Sequence, residues 1–112
     1  PSPKLIQVRQ YLEEHYMERI CLEDLSTLFF ISKYHLSHEF HRLVGTSVYR
    51  YIIQKRLVIA KQMLANGVAP TDVYGHCGFG DYANFYRAFK AEYHISPKQF
   101  LGRAGNENTF GG

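Results

Sequence analysis

Two side chains stand out for what they could recognise: Asn84 and Arg87, three positions apart within Asp81–Lys90. The Arg87 guanidinium is a planar fork able to make two parallel hydrogen bonds to one flat acceptor edge, such as that of a guanine. The Asn84 carboxamide pairs one donor with one acceptor, as an adenine edge requires. Ser37 and His38, earlier in the chain, offer weaker and less selective bonds. Other groupings suggest different chemistry and fail on geometry. His35, His38 and His41 with Glu39 resemble a ligand set, yet positions i and i+6 of a helix lie about 240° apart, so three such ligands do not converge on a metal. His76 and Cys77 are neighbours whose side chains diverge by about 100° on a helix, with no carboxylate to orient the histidine. No catalytic group, metal or cofactor is assigned, and an enzyme is the weakest functional reading.

The chain that must position these groups has 112 residues and 46% hydrophobic content, enough for a single compact domain with a real core. No run approaches the ~18 apolar residues of a membrane span and nothing resembles a signal peptide, so the cytoplasm is the expected location. Cys21 and Cys77 lie far apart in apolar helical surroundings, which suits reduced structural thiols better than a disulfide. A net charge of +3 is compatible with a polyanionic partner but does not require one. Pro1-Ser2-Pro3 reads as the start of a linker and residues 102–112 as a loose tail, as in a piece of a longer protein.

Apolar residues recur at spacings of three and four, with no sustained period-two alternation, so the expected fold is all-α with seven helices. The first runs from about Lys4 to Tyr16, with Leu5, Val8, Leu12 and Tyr16 inward, and the second over Leu22–Phe29. Ser32 caps a third through about Leu43, with Leu36 and Phe40 inward and Gly45 at its end. Ser47 caps a long fourth reaching Asn66-Gly67, whose stripe is Val48, Tyr51, Ile52, Ile59, Ala60, Met63 and Leu64. Pro70 opens a short fifth helix to about Cys77, and Gly78-Phe79-Gly80 forms a turn. Asp81 caps a sixth to about Tyr93, with Phe85 and Phe89 buried, and Ser96-Pro97 starts a seventh through Leu101.

A shift of 49 positions lays Phe30-x-Ser32 on Phe79-x-Asp81, Leu36 on Phe85, Phe40 on Phe89, Ser47 on Ser96 and Tyr51 on Phe100. By periodicity alone this repeat fits two halves of a plain helical bundle equally well. The turn chemistry favours something more specific: a short helix, a tight turn and a second helix with one apolar side form a helix-turn-helix, whose second helix enters a DNA major groove. The organisation is then a first unit over 4–46, a linker helix over 47–66 and a second unit over 67–101.

The run Gly78-Phe79-x-Asp81-x-x-x-Phe85-x-Arg87-x-Phe89-Lys90, followed by Ser96-Pro97-x-x-Phe100, resembles the signature of the AraC/XylS family of bacterial transcription regulators. Leu22-Glu23-Asp24-Leu25, Leu36-Ser37-x-x-Phe40, Gly45, Arg56-Leu57 and Ala60-x-x-x-Leu64 extend the resemblance, which covers about residues 4–101. Three departures are His94 where the family usually has Gly, Ser26 where it usually has Ala, and Gly80 within the second turn, which is expected to loosen the second unit.

The resemblance implies the DNA-reading part of a longer regulator, most often an activator. The implied partners are double-stranded promoter DNA, RNA polymerase and an N-terminal sensing or dimerisation domain. It also implies base-reading positions at Tyr34, Ser37 and His38 in the first unit and at Ala83, Asn84 and Arg87 in the second. The helix starts at Ser47 and Ser96, with Lys33, Arg50, Lys90 and Lys98, are the expected phosphate holders. A linker helix of ~20 residues would span ~30 Å, near the ~34 Å of one DNA turn. The competing reading is a helical protein-interaction module, which would bind without the salt dependence that phosphate contacts impose.

Overall fold

The computed structural model describes residues 3–111, with side chains as far as Ala104; Pro1, Ser2 and Gly112, read above as parts of a linker and a tail, lie outside the described residues. All regular structure among them is helical: α1 (Pro3–His15), α2 (Leu22–Phe29), α3 (Lys33–Val44), α4 (Val48–Ala65), α5 (Pro70–His76), α6 (Tyr82–Tyr93) and α7 (Pro97–Gly111). No helix there is long and apolar enough to cross a membrane. The chain divides into two compact units, Pro1–Lys55 and Arg56–Gly112, with the boundary inside α4.

In the first unit, Leu5, Val8 and Leu12 of α1 meet Leu25, Leu36, Phe40, Val48 and Ile52 in one core, because spacings of three and four keep apolar residues on one helix face. Tyr16 falls beyond the end of α1 and is only half-buried, so the inner stripe stops at Leu12. α2 ends at Phe30, whose φ of 54° places it in the left-handed region. The amides of Phe30 and Ile31 both donate to the Ser26 carbonyl, while the Ser26 hydroxyl donates to the Ile31 carbonyl at 2.5 Å. The departure at Ser26 therefore ties the first turn to the helix before it. α3 starts on Ser32, whose Oγ accepts the His35 amide at 3.1 Å, and stops at Gly45 with φ 90°. On α4, the Ser47 Oγ accepts the Arg50 amide at 3.0 Å. One polar cluster joins α1 to the start of α4: the Glu13 carboxylate accepts from the Tyr51 hydroxyl and pairs with Lys55 Nζ at 2.7 Å. Arg9 Nε donates to the same Tyr51 oxygen at 3.4 Å.

The second unit buries Leu57, Ala60 and Leu64 of α4 with Val73, Cys77, Phe79, Phe85 and Phe89. Leu57 lies outside the expected stripe, whereas Ile59 and Met63, within it, are half-buried. Rings interlock along α6. Phe85 lies 5.4 Å from Phe79 and 5.7 Å from Phe89, which in turn meets Tyr93 at 4.8 Å and Phe100 at 6.0 Å. The Cys77 thiol, pushed up to about 11 by burial, donates toward the Met63 sulfur at 4.0 Å, whereas Cys21 is exposed. α6 ends on His94 with φ 66°, a left-handed position where glycine costs least. α7 continues to Gly111 instead of stopping at Leu101, and Ala104, past the expected end, is buried to 8% exposure.

The turns correct the repeat. In each, an amide reaches back five residues, from Ile31 to the Ser26 carbonyl and from Phe79 to the Tyr74 carbonyl at 3.0 Å. Ile31 is thus the partner of buried Phe79, and left-handed Phe30 that of Gly78 with φ 101°. The shift is 48 before the turn and 49 after it, because Gly80 is one additional residue. Phe30, laid on Phe79 by the sequence, is 85% exposed.

Candidate nucleic-acid interface

α3 and α6 each begin on a side-chain cap that fixes the first turn, and the apolar residues of each helix decide which side remains outside. In α3, Leu36 and Phe40 point into the core, leaving Tyr34, Ser37 and His38 exposed. The Tyr34 and His38 rings stack nearly parallel, with centroids 5.8 Å apart. In α6, Phe85 and Phe89 are fully buried and Ala83, Asn84 and Arg87 exposed. The Asp81 carboxylate caps this helix by accepting the Asn84 amide at 2.7 Å. Its second oxygen accepts from Asn84 Nδ2 at 3.1 Å, and Asn84 Oδ1 accepts from Arg87 Nη2. All six positions expected to read bases are therefore on the surface, three on each second helix.

The cationic groups differ in how they are held. Lys33 Nζ lies 3.3 Å from Glu23 in a pair whose two side chains are more than half exposed, a bond cheap to exchange for a phosphate. Lys90 sits over the Tyr86 ring at 5.8 Å. Arg50 and Lys98 are exposed, each in the first turn of its helix. Ser47 is exposed, but Ser96 is buried. The Ser96 amide donates to Gln99 Oε1 at 2.9 Å and its Oγ accepts the Gln99 amide at 3.1 Å, a reciprocal capping box that turns both groups inward. Glu39, grouped above with three histidines, is engaged by Arg42 through bonds of 3.0 and 2.8 Å, which hold its carboxyl below the usual range.

A family model described as a helix-turn-helix domain matches residues 25–103. The chain belongs to this family, of AraC type. Among its relatives, the uncharacterized HTH-type transcriptional regulator YbfI of Bacillus subtilis is 41% identical over 81 residues, covering 72% of this chain and 30% of that protein. The transcriptional activator RhaS of Citrobacter koseri is 31% identical over 96 residues, covering 85% of this chain and 34% of that protein. The chain spans about a third of the length of these relatives. Among solved structures, the C-terminal domain of the response regulator yesN from Fusobacterium nucleatum superposes with a TM-score of 0.83 at 29% identity, over 89% of this chain and 99% of that one. The DNA-binding domain of AdpA, in complex with a target DNA, gives 0.85 at 23% identity over 91% and 93%, a likeness of fold.

The second helix of each helix-turn-helix, α3 or α6, carries the exposed residues that were expected to read bases. Sequence reasoning missed Asp81 as a holder of side chains, having read it as a backbone cap only. The signal was present in part: a carboxylate at the cap has a second oxygen, and Asn84 stands three residues later.

Proposed function

We propose that this domain binds double-stranded promoter DNA sequence-specifically, with α3 and α6 each presented to a major groove. The exposure of Ala83, Asn84 and Arg87 on the second helix of a capped helix-turn-helix carries this reading. Tyr34, Ser37 and His38 would line the first unit's reading face. Lys33, Arg50, Lys90 and Lys98 would hold phosphates, with the helix start at Ser47; Ser96 would act only by fixing the start of α7, since its polar groups face inward. The domain would work inside a longer regulator, with an N-terminal sensing or dimerisation domain and RNA polymerase as further partners, in the cytoplasm and without catalysis. The share of its relatives' length that it covers supports the first of these.

The experiment is titration and selection of bound duplexes from a random pool at one salt concentration. Arg87→Ala should lose about 1–3 kcal/mol on the best site and relax preference at one base position, as the loss of a bidentate contact does. Lys90→Ala should weaken all sequences alike and lower the salt dependence. Binding insensitive to salt would favour a protein-interaction module instead.

A further inference from the structure

Resting on that reading of α6, we infer that Asp81 is a positioning residue for Arg87, acting through Asn84. The three exposed groups form one hydrogen-bonded chain: carboxylate, carboxamide, guanidinium. Asp81 Oδ1 accepts the Asn84 backbone amide at 2.7 Å, which alone would suffice as a cap. Asp81 Oδ2 is left over, and it accepts Asn84 Nδ2 at 3.1 Å. That bond sets which way the carboxamide faces: nitrogen toward Asp81, oxygen toward Arg87, where it accepts from Nη2. A flipped carboxamide would put N–H against guanidinium N–H, donor against donor. The anion thus fixes the amide, and the amide fixes the guanidinium. A long, rotamer-rich side chain is ordered before any base arrives, so less freedom is lost on binding. Asn84, with its oxygen toward Arg87 and an N–H committed to Asp81, buttresses the reader instead of reading a second base itself.

The first unit supplies an internal comparison. Beyond the turn the 49-residue registration holds, so Ser32, His35 and His38 occupy the places of Asp81, Asn84 and Arg87. Ser32 caps equally well, with Oγ accepting the His35 amide at 3.1 Å. A hydroxyl has no second oxygen with which to hold the side chain at 35, and His38 is instead stacked on Tyr34. The same capping bond, from the amide three residues on, occurs with the relay and without it, which separates the two roles of Asp81.

Asp81→Ser converts the second unit to the arrangement of the first. Serine and aspartate cap helices about equally, so the melting temperature should stay close to that of the unchanged chain. Removing a carboxylate near phosphates raises affinity for every sequence, so the informative quantity is the ratio between preferred and other bases. In selection and titration at fixed salt, Asp81→Ser should lose about 3- to 10-fold discrimination at the base pair that Arg87→Ala affects, and at no other. Asn84→Ala should lose discrimination at that same pair. Full discrimination in Asp81→Ser would overturn the inference, as would a loss at a different base pair in Asn84→Ala, which would make Asn84 a reader in its own right. If Arg87→Ala itself changed no base preference, the assignment of α6 as a base reader would fall, and the relay with it.

Discussion

Glu13 offers the sharpest test of what holds the first unit together. Its carboxylate takes the Tyr51 hydroxyl and Lys55 Nζ, the latter at 2.7 Å with the Lys55 and Glu13 side chains 30% and 39% exposed. Hydrogen bonds to charged groups contribute about 1.5–3 kcal/mol when shielded, and fully exposed ion pairs about 0–1 kcal/mol. The partial exposure places Glu13→Gln between these, at about 1–2 kcal/mol, because glutamine keeps an acceptor for Tyr51 and loses only the charge. At about 2.1 cal/mol/K per residue, that is a fall of about 4–8 °C in melting temperature for 112 residues. The bond from Lys55, then that from Tyr51, holds the Glu13 carboxyl below its ordinary 4.5. A depressed folded value means the contribution is complete above the unfolded value of about 4.5 and drains away as pH falls through the folded one. The gap between the unchanged chain and Glu13→Gln should therefore be widest near pH 7 and narrow as pH falls below about 4.5. Other acids titrate in both proteins, so the difference isolates Glu13. Thermal melts across that range by far-ultraviolet circular dichroism provide the measurement. A gap unchanged from neutral to acid pH would refute the electrostatic account, and no gap at neutral pH would show that the cluster contributes nothing.

Phe40 and Phe89 are fully buried at matching positions of the repeat, and truncating either to Ala should cost about 3–5 kcal/mol in denaturant melts; an unaffected midpoint in either variant would remove it from the core. Gly80 has no positive φ, and a Cβ built there meets nothing within 4 Å. Gly80→Ala should thus stabilise by about 0.4–1 kcal/mol through a more restricted unfolded chain, and a lower melting temperature would show that the turn needs glycine.

Much of the fold was legible because caps and stripes are local. Ser32, Ser47, Asp81 and Ser96 all accept backbone amides at the helix starts expected of them, and Leu36, Phe40, Phe85 and Phe89 are the buried faces. The turns were less legible, since a repeat aligned by residue type matched two phenylalanines, while backbone bonding matches Phe79 to Ile31. Residue type reports what can be buried, and the five-residue bond reports what is. The end of α7 was missed because residues 102–112 read as a loose tail, whereas the helix continues through them to Gly111, with Ala104 buried. At the candidate interface, exposure followed from periodicity, so the surface placement of the residues expected to read bases was accessible to inference. The bond from Arg87 to Asn84 was not, because it depends on rotamers that spacing permits without dictating.

The interlocked rings of the second unit have an optical consequence. The chain has no tryptophan, so its near-ultraviolet spectrum comes chiefly from tyrosine and phenylalanine. Rings held edge-on at fixed angles, as Phe89 is to Tyr93 and Tyr82 is to Tyr74 and Phe85, sit in chiral surroundings that tumbling would average away. Dichroism in that band therefore measures side-chain order at these rings and at the Tyr11–Phe29 and Phe40–Tyr51 pairs of the first unit, while the far-ultraviolet band measures helix throughout the chain. Comparing the two distinguishes a chain that has loosened its packing but kept its helices from one that has unfolded, with no label attached.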